Sequence, residues 1–211
     1  MKSIVEELNW RYATKLFDST KKLTSEQLNG LLEVVRLSPT SYGLQPFKVL
    51  VVNSPALRKQ LLKHSFGQQQ IVDASHLLIF CAETILNSEI IDQYIERIAT
   101  TRSIEVSKLT GYKDFMCRTL LGQSVDAIIH WNAKQIYLAL GMLLQSCSKL
   151  KIDATPMEGF DAQGYIETLQ LEKLNLHPVI ACPIGFRSSE DAVQYLKKVR
   201  KENAEMIIQI D

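Results

Sequence analysis

Residues 126–150 constrain this chain more than any other stretch. Ile129, Ala133, Ile136, Leu140, Leu143, Leu144 and Cys147 recur at helical spacing, and Ala139, Gly141 and Met142 widen the apolar stripe until little of the circumference is polar. A helix of that composition left in water would aggregate, so it is either a central core helix covered on more than one side or a seam between two copies. Gly141 in its interior costs about 1 kcal/mol relative to alanine, and a close helix crossing accounts for its presence. The rest of the chain has to wrap this helix.

The other segments supply layers to do so. Residues 24–37 read as an amphipathic helix, with Thr24 and Gln27 spaced for a capping box, Leu28, Leu31, Leu32 and Val35 on one face, and Ser38-Pro39 as its stop. Residues 47–52 (FKVLVV), 76–82 (HLLIFCA) and 178–186 (PVIACPIGF) are short apolar runs that suit buried strands. Pro183 in the last of them predicts an edge strand or a bulge. Ser54-Pro55 places an N-cap before a proline at the first helical position, for a helix to about Lys63. Residues 88–124 read as a mixed helical stretch with a break at Gly111. The apolar end, residues 206–210, has no adjacent hairpin partner, and the arm is expected to add to the sheet of a second copy. The predicted class is α+β in a single domain, residues 1–211.

Composition works by exclusion. Lysine and arginine number 24 against 23 aspartates and glutamates, with no long run of either sign, so no phosphate-backbone surface is expected and nucleic acid is not an expected partner. No apolar stretch approaches the ~20 residues of a membrane span. Glu6, Glu7 and Asn9 stand where a signal peptide needs an apolar core, so the expectation is a soluble, cytoplasmic protein with no membrane partner. Cys81, Cys117, Cys147 and Cys182 are too scattered for zinc ligation and read as reduced, buried thiols. None of His64, His76, His130 and His177 has a carboxylate or cysteine at a telling spacing, and no metal site is expected. The glycine-rich phosphate loops, the G-x-S-x-G elbow and H-E-x-x-H are all missing, which weakens hydrolase and metalloenzyme readings.

Three segments place polar or conformationally special residues where folding alone does not ask for them. In RYATKLFD (residues 11–18), Arg11 and Lys15 lie four apart; they either share one side of a helical turn or converge from an extended chain onto an anion. In SPTSYGLQP (residues 38–46), two prolines, Gly43, hydroxyl side chains and Gln45 form a stiff polar loop longer than a helix-to-strand turn needs. TPMEGFD (residues 155–161) is a glycine-containing turn with Glu158 and with Asp161 as a candidate N-cap.

With VDASHLLIF, WNAKQIYLALG and LKKVR added, these pieces fall in the order and approximate spacing of the FMN-dependent nitroreductase family, and the chain resembles it over residues 10–200, its nitroreductase B-like branch above all. The resemblance implies an α+β fold with a central, mostly antiparallel sheet flanked by helices, in an intertwined homodimer with the C-terminal arm exchanged. It implies FMN as cofactor, NADH or NADPH as transient electron donor, and ping-pong transfer of a hydride to small-molecule acceptors such as nitroaromatics or quinones. By similarity Arg11, Lys198 and Arg200 hold the phosphate, which suits the bidentate reach of guanidinium, and Ala13 and Lys15 lie by the ring, Lys15 where negative charge accumulates. Pro39, Thr40, Ser41 and Gly43 come from the opposite subunit. Pro156, Glu158 and Gly159 cover one ring face, with Glu158 and Gly159 as the catalytic pair and the Gly159 N–H aimed at N5. Gln70 meets the pyrimidine edge, with Gln68 and Gln69 within reach of the same edge. Phe115 and Tyr112 are the candidate substrate-shaping aromatics.

The chain departs from the family pattern in three places. It has Gly43 where asparagine is common, Ala13 where serine is found, and Gln70 where a lysine would add charge; Gln70 therefore implies a lower flavin reduction potential than in a lysine-bearing relative. Other readings keep the fold but change the acceptor to a free flavin, an enone or a halogenated phenol, or make the chain a flavin-binding dimer without turnover.

Overall fold

The computed structural model describes residues 4–210. Helices α1 (Ile4–Trp10), α2 (Ser25–Arg36), α3 (Pro55–Lys63), α4 (Gln70–Asp73), α5 (Ser88–Arg102), α6 (Thr110–Leu120), α7 (Val125–Lys149), α8 (Ala162–Leu169) and α9 (Asn203–Met206) surround strands β1 (Phe47–Val52), β2 (His76–Glu83), β3 (Asp153–Ala154) and β4 (Leu176–Gly185). The strands form one antiparallel sheet in the order β1-β2-β4-β3.

Local chemistry accounts for the element boundaries. Thr24 caps α2 with both halves of a capping box, Ser54 accepts from the Leu57 N–H ahead of Pro55, and Ser124 caps α7 through Ala127. Residues 77–82 of β2 are all apolar because both faces of the strand are covered. Leu78, Phe80 and Ala82 point into a core with Leu31 and Val35 of α2 and Ile136 and Leu143 of α7; Leu77, Ile79 and Cys81 point into a second core with Leu61 of α3 and Tyr165 of α8. A third cluster, Ile91, Ile95, Ile98, Met116 and Leu120, joins α5 to α6 and takes in Leu44 from the loop before β1.

One expectation is corrected here, the break at Gly111, and two open alternatives are narrowed. Strand β4 is interior, paired with β2 on one side and β3 on the other, and its bulge lies at Val179, where Ile180 and Pro178 oppose consecutive residues of β2. Pro183 faces the segment 153–157: the Thr155 N–H donates to its carbonyl at 3.0 Å, and the bond that proline cannot return leaves a one-bond gap between the Ala154–Ile184 pair and the Met157–Ala181 bridge. The break in residues 88–124 falls at Ser103, a left-handed C-cap followed by a short 3-10 turn, whereas Gly111 begins α6. Within this chain α7 is covered on one side. Tyr137, Leu138 and Met142 are each 43–51% exposed, and a side chain at Gly141 would meet no atom within 4 Å. The close crossing expected at Gly141 is therefore not made by this chain's own helices.

No helix among the described residues is long and apolar enough to cross a membrane. After β4 the chain is largely irregular, and its end stays out: Ile208 is 84% and Ile210 91% exposed.

Candidate functional site

Helix α1 stops at Trp10, and residues 11–16 are non-helical, which removes the helical-turn alternative for Arg11 and Lys15. The segment is pinned by the chain that follows β4. The Asp18 N–H donates to the Phe186 carbonyl at 2.8 Å and the Ser188 N–H to the Leu16 carbonyl at 2.9 Å. One oxygen of the buried Asp191 accepts from the Lys15 N–H (2.7 Å), the Leu16 N–H (3.1 Å) and the Tyr12 hydroxyl (2.8 Å). Behind it, buried Asp153 accepts from Thr14 and from the Nε of Arg187, whose guanidinium lies 4.1 Å from the Trp10 ring and 4.5 Å from the Tyr12 ring. Arg187 is thus committed internally.

Arg11, Lys198 and Arg200 are not so committed. Lys198 donates to the Arg11 carbonyl, which ties the two ends of the chain together. Among the described residues none of the three cations is in an ion pair. Burial, followed by neighbouring cations, holds Lys198 below its ordinary pKa; Arg11 is lowered by burial and by Arg200. Like charges gathered without a counter-charge form a receptor for an anion.

The carboxylate that anchors this segment gives a pH prediction. Burial alone raises the Asp191 pKa, but the Lys15 and Leu16 N–H groups, the Tyr12 hydroxyl and the Val193 N–H outweigh it and leave it below the usual range. A group depressed on folding stabilises above its unfolded value, about 3.9, and that contribution is lost as pH falls through the folded value. The gap in melting temperature between the wild type and Asp191→Asn is therefore expected to be widest at pH 7 and to shrink by pH 3. A gap that does not change with pH would show that the carboxylate charge is not what holds the segment.

Beside this segment runs the turn that begins at Pro156. The Thr155 hydroxyl donates to the Thr14 carbonyl at 2.7 Å, and Met157 pairs with Ala181 of β4 in both directions. The Phe160 N–H closes on the Glu158 carbonyl at 2.9 Å, a three-residue turn with Gly159 at its centre. Glu158 and Gly159 are exposed, and among the described residues nothing accepts the Gly159 N–H. Tyr137 of α7 donates to the Glu158 carboxylate; burial and that bond push the phenol up to about 12. Pro156, Glu158, Tyr137, Leu140, Gly141 and Leu144 line a cavity of about 300 Å³ on the uncovered side of α7.

The 38–46 loop sits elsewhere. The Ser41 N–H donates to Gln135 Oε1 at 2.8 Å, and Gln135 and Tyr137 lie about 200° apart around α7. The loop with Pro39, Thr40, Ser41 and Gly43 and the turn with Pro156, Glu158 and Gly159 therefore lie on opposite sides of one helix and share no cavity in a single chain. Gly43 has φ +75°, and a Cβ there would lie 2.6 Å from the Tyr94 hydroxyl, so Tyr94 occupies the space that a side chain would need. Tyr94 and Tyr112 both donate to the Tyr42 carbonyl, and the Phe115 ring lies 6.1 Å from that of Tyr42, which brings both substrate candidates to the loop. Gln70 is buried in the first turn of α4, and Gln68 is the glutamine that reaches the turn, donating to the Gly159 carbonyl at 2.8 Å.

The sequence profile of the nitroreductase family matches residues 8–186. The chain belongs to the nitroreductase family. YfkO of Bacillus subtilis is 33% identical over 178 residues, 81% of this chain and 80% of that one. The oxygen-insensitive NAD(P)H nitroreductase of Salmonella typhimurium is 29% identical over 204 residues, 90% of this chain and 91% of that one. The fold superposes with a TM-score of 0.83 on a protein from Exiguobacterium sibiricum solved in complex with FMN, 18% identical, covering all of this chain and 98% of that one.

Several residues that build this candidate site carry little sequence signal. Asp191 is legible at most as a cap before residues 192–195, Asp153 as one charge in an otherwise apolar stretch, and Arg187 as one cation after a strand. Their weight comes from partners 34 to 179 residues away.

Proposed function

We propose that this chain is an FMN-dependent NAD(P)H oxidoreductase that passes a hydride to small electrophiles of the nitroaromatic or quinone kind. The observation that carries the proposal is the gathering of Arg11, Lys198 and Arg200 with no ion pair among the described residues, together with a turn whose Gly159 N–H has no acceptor among those residues. The donor set fits FMN: cations for the phosphate, with Ala13 and the exposed Lys15 on the segment that follows Arg11, and at Gly159 an amide with no acceptor among the described residues for a ring nitrogen. FMN, when bound, supplies the two-electron redox chemistry that no side chain can.

The residues do the rest by position. Asp191 holds the backbone of Lys15, so that its ammonium stands where negative charge can be stabilised. Glu158, held by Tyr137, flanks Gly159 at the open face, with Pro156 as the start of the same turn. Donor and acceptor take turns on that face, so a nicotinamide needs no dinucleotide-binding loop of its own.

The loop bearing Pro39, Thr40, Ser41 and Gly43, with Tyr112 and Phe115 behind it, reaches such a site only from a second copy. We infer a homodimer in which the uncovered side of α7 meets its counterpart and the apolar end of each chain, residues 206–210, adds beside β1 of the other. Strand β1 is a sheet edge, and next to it lies a groove of about 640 Å³ lined by Leu32, Val35, Phe47, Val49 and Val51.

The test is an absorption spectrum of the purified protein followed by anaerobic addition of NADH and then NADPH. Flavin bands that bleach are expected, with return of colour on adding a quinone. A colourless protein that takes up no FMN on reconstitution would overturn the reading.

A further inference from the structure

We propose that Gln68 is a positioning residue that fixes the Glu158-Gly159-Phe160 turn, an inference that rests on the flavin reading above and adds to it a residue outside the flavin's direct contacts. The Gln68 amide nitrogen lies 2.8 Å from the Gly159 carbonyl oxygen and 3.1 Å from the Ser65 carbonyl oxygen. Two carbonyls can be satisfied only by the NH2 end of an amide, so the partners themselves fix which end faces them. Both N–H bonds are then used, and the amide bridges the end of α3 to the turn.

The bridge is one of several ties between the same two segments. The Asp161 N–H donates to the His64 carbonyl at 2.7 Å, the His64 ring meets the Asp161 carboxylate at 3.1 Å, and Ser65 shares a hydrogen bond with Tyr165. These hold the far side of the turn and the start of α8. Among the described residues Gln68 alone holds the Gly159 carbonyl, and fixing that carbonyl limits rotation about the Gly159 backbone. The inverse-γ closure by Phe160 is a three-residue loop with one weak bond, and such turns need outside support to keep a single orientation. Gly159 adds no steric help, since a side chain there would only reach van der Waals contact with Gln68 at 3.7 Å. Positions 66 and 67 are both left-handed, φ 52° and 70°, which turns the chain so that Gln68 faces the turn.

A turn without this tether loses its aim more than its fold. Displacement of a positioned group by about 1 Å costs on the order of a hundredfold in rate. The variants are Gln68→Glu, which keeps the shape but has no N–H to offer and sets a carboxylate against two carbonyl oxygens, and Gln68→Lys, which keeps a donor. Three quantities are read: FMN affinity, the anaerobic rate of flavin reduction by NADH at saturation, and amide hydrogen exchange of residues 157–161 in the flavin-free protein.

For Gln68→Glu the expectation is FMN affinity within about threefold of wild type, since the phosphate cations are untouched, together with flavin reduction slowed by about tenfold or more. Exchange at Phe160 should be faster in the same variant. Gln68→Lys should recover most of both losses. A Gln68→Glu protein that binds FMN, is reduced at the wild-type rate and exchanges Phe160 no faster would overturn the inference while leaving the flavin reading intact. A wild type that binds no FMN sinks the flavin reading first, and this role for Gln68 with it.

Discussion

Arg11→Ala is expected to weaken FMN binding about a hundredfold without destabilising the flavin-free protein. A guanidinium meeting a phosphate through two charge-assisted bonds contributes on the order of 3 kcal/mol, which is two factors of ten in affinity. The flavin-free protein should respond differently. Among the described residues Arg11 has no carboxylate partner, and burial and the neighbouring Arg200 lower its pKa, so removing its charge relieves repulsion in the cluster. The Lys198 contact is to the Arg11 backbone carbonyl and survives truncation of the side chain. Fluorescence titration with FMN, paired with a thermal melt of the apoprotein, reads both effects. The affinity loss should shrink as salt rises, because the lost term is electrostatic. An FMN affinity within threefold of wild type, or a large drop in apoprotein melting temperature, would assign Arg11 to structure and away from the anion site.

Removal of residues 204–211 is expected to abolish both the dimer and flavin retention. The described part of that segment carries Met206, Ile207, Ile208 and Ile210, each exposed by 58–91% within its own chain. Full burial of such side chains contributes about 1.5–3 kcal/mol apiece. Even after the entropy of ordering each arm is subtracted, the loss should weaken the dimer by at least about a thousandfold. Because the loop at residues 38–46 and the turn at residues 156–159 lie on opposite sides of α7, a monomer should bind FMN poorly even with Arg11, Lys198 and Arg200 in place. Light scattering gives the mass and absorbance gives the flavin content. A truncated protein that remains a dimer would place the interface on α7 alone; a truncated monomer that keeps its flavin would show that one chain completes the site.

The site was legible in the sequence to the extent that its parts are local. Residues 38–46 and 155–161 announce themselves because proline, glycine and hydroxyl side chains cluster where a plain turn needs none, and both occur as such in the structure, the second with Asp161 as the cap of α8. The partners that aim those parts were not legible. Gln68 looks like any of three consecutive glutamines, and only the approach of the α3 end to the Gly159 turn singles it out. Tyr94 is an ordinary helix tyrosine until the fold sets its hydroxyl where a Gly43 side chain would be.

The same division holds for the fold. The capping box at Thr24, the Ser54-Pro55 start, the apolar runs of β1 and β2 and the long apolar helix are dictated by short-range pattern, and each formed within a residue or two of where that pattern puts it. Pro183 argues for an edge or a bulge; the strand is interior and carries its bulge at Val179, and the donor that Pro183 lacks costs one bond in the pairing with residues 153–157, which resumes at Met157. Gly111 misleads because helix breaking at Ser103 is a matter of where α5 and α6 pack, not of one residue's propensity. Periodicity within one chain shows how much apolar surface α7 must bury, and only the tertiary structure shows that the side with Tyr137, Leu138 and Met142 stays uncovered, because the covering atoms are not among the chain's own helices.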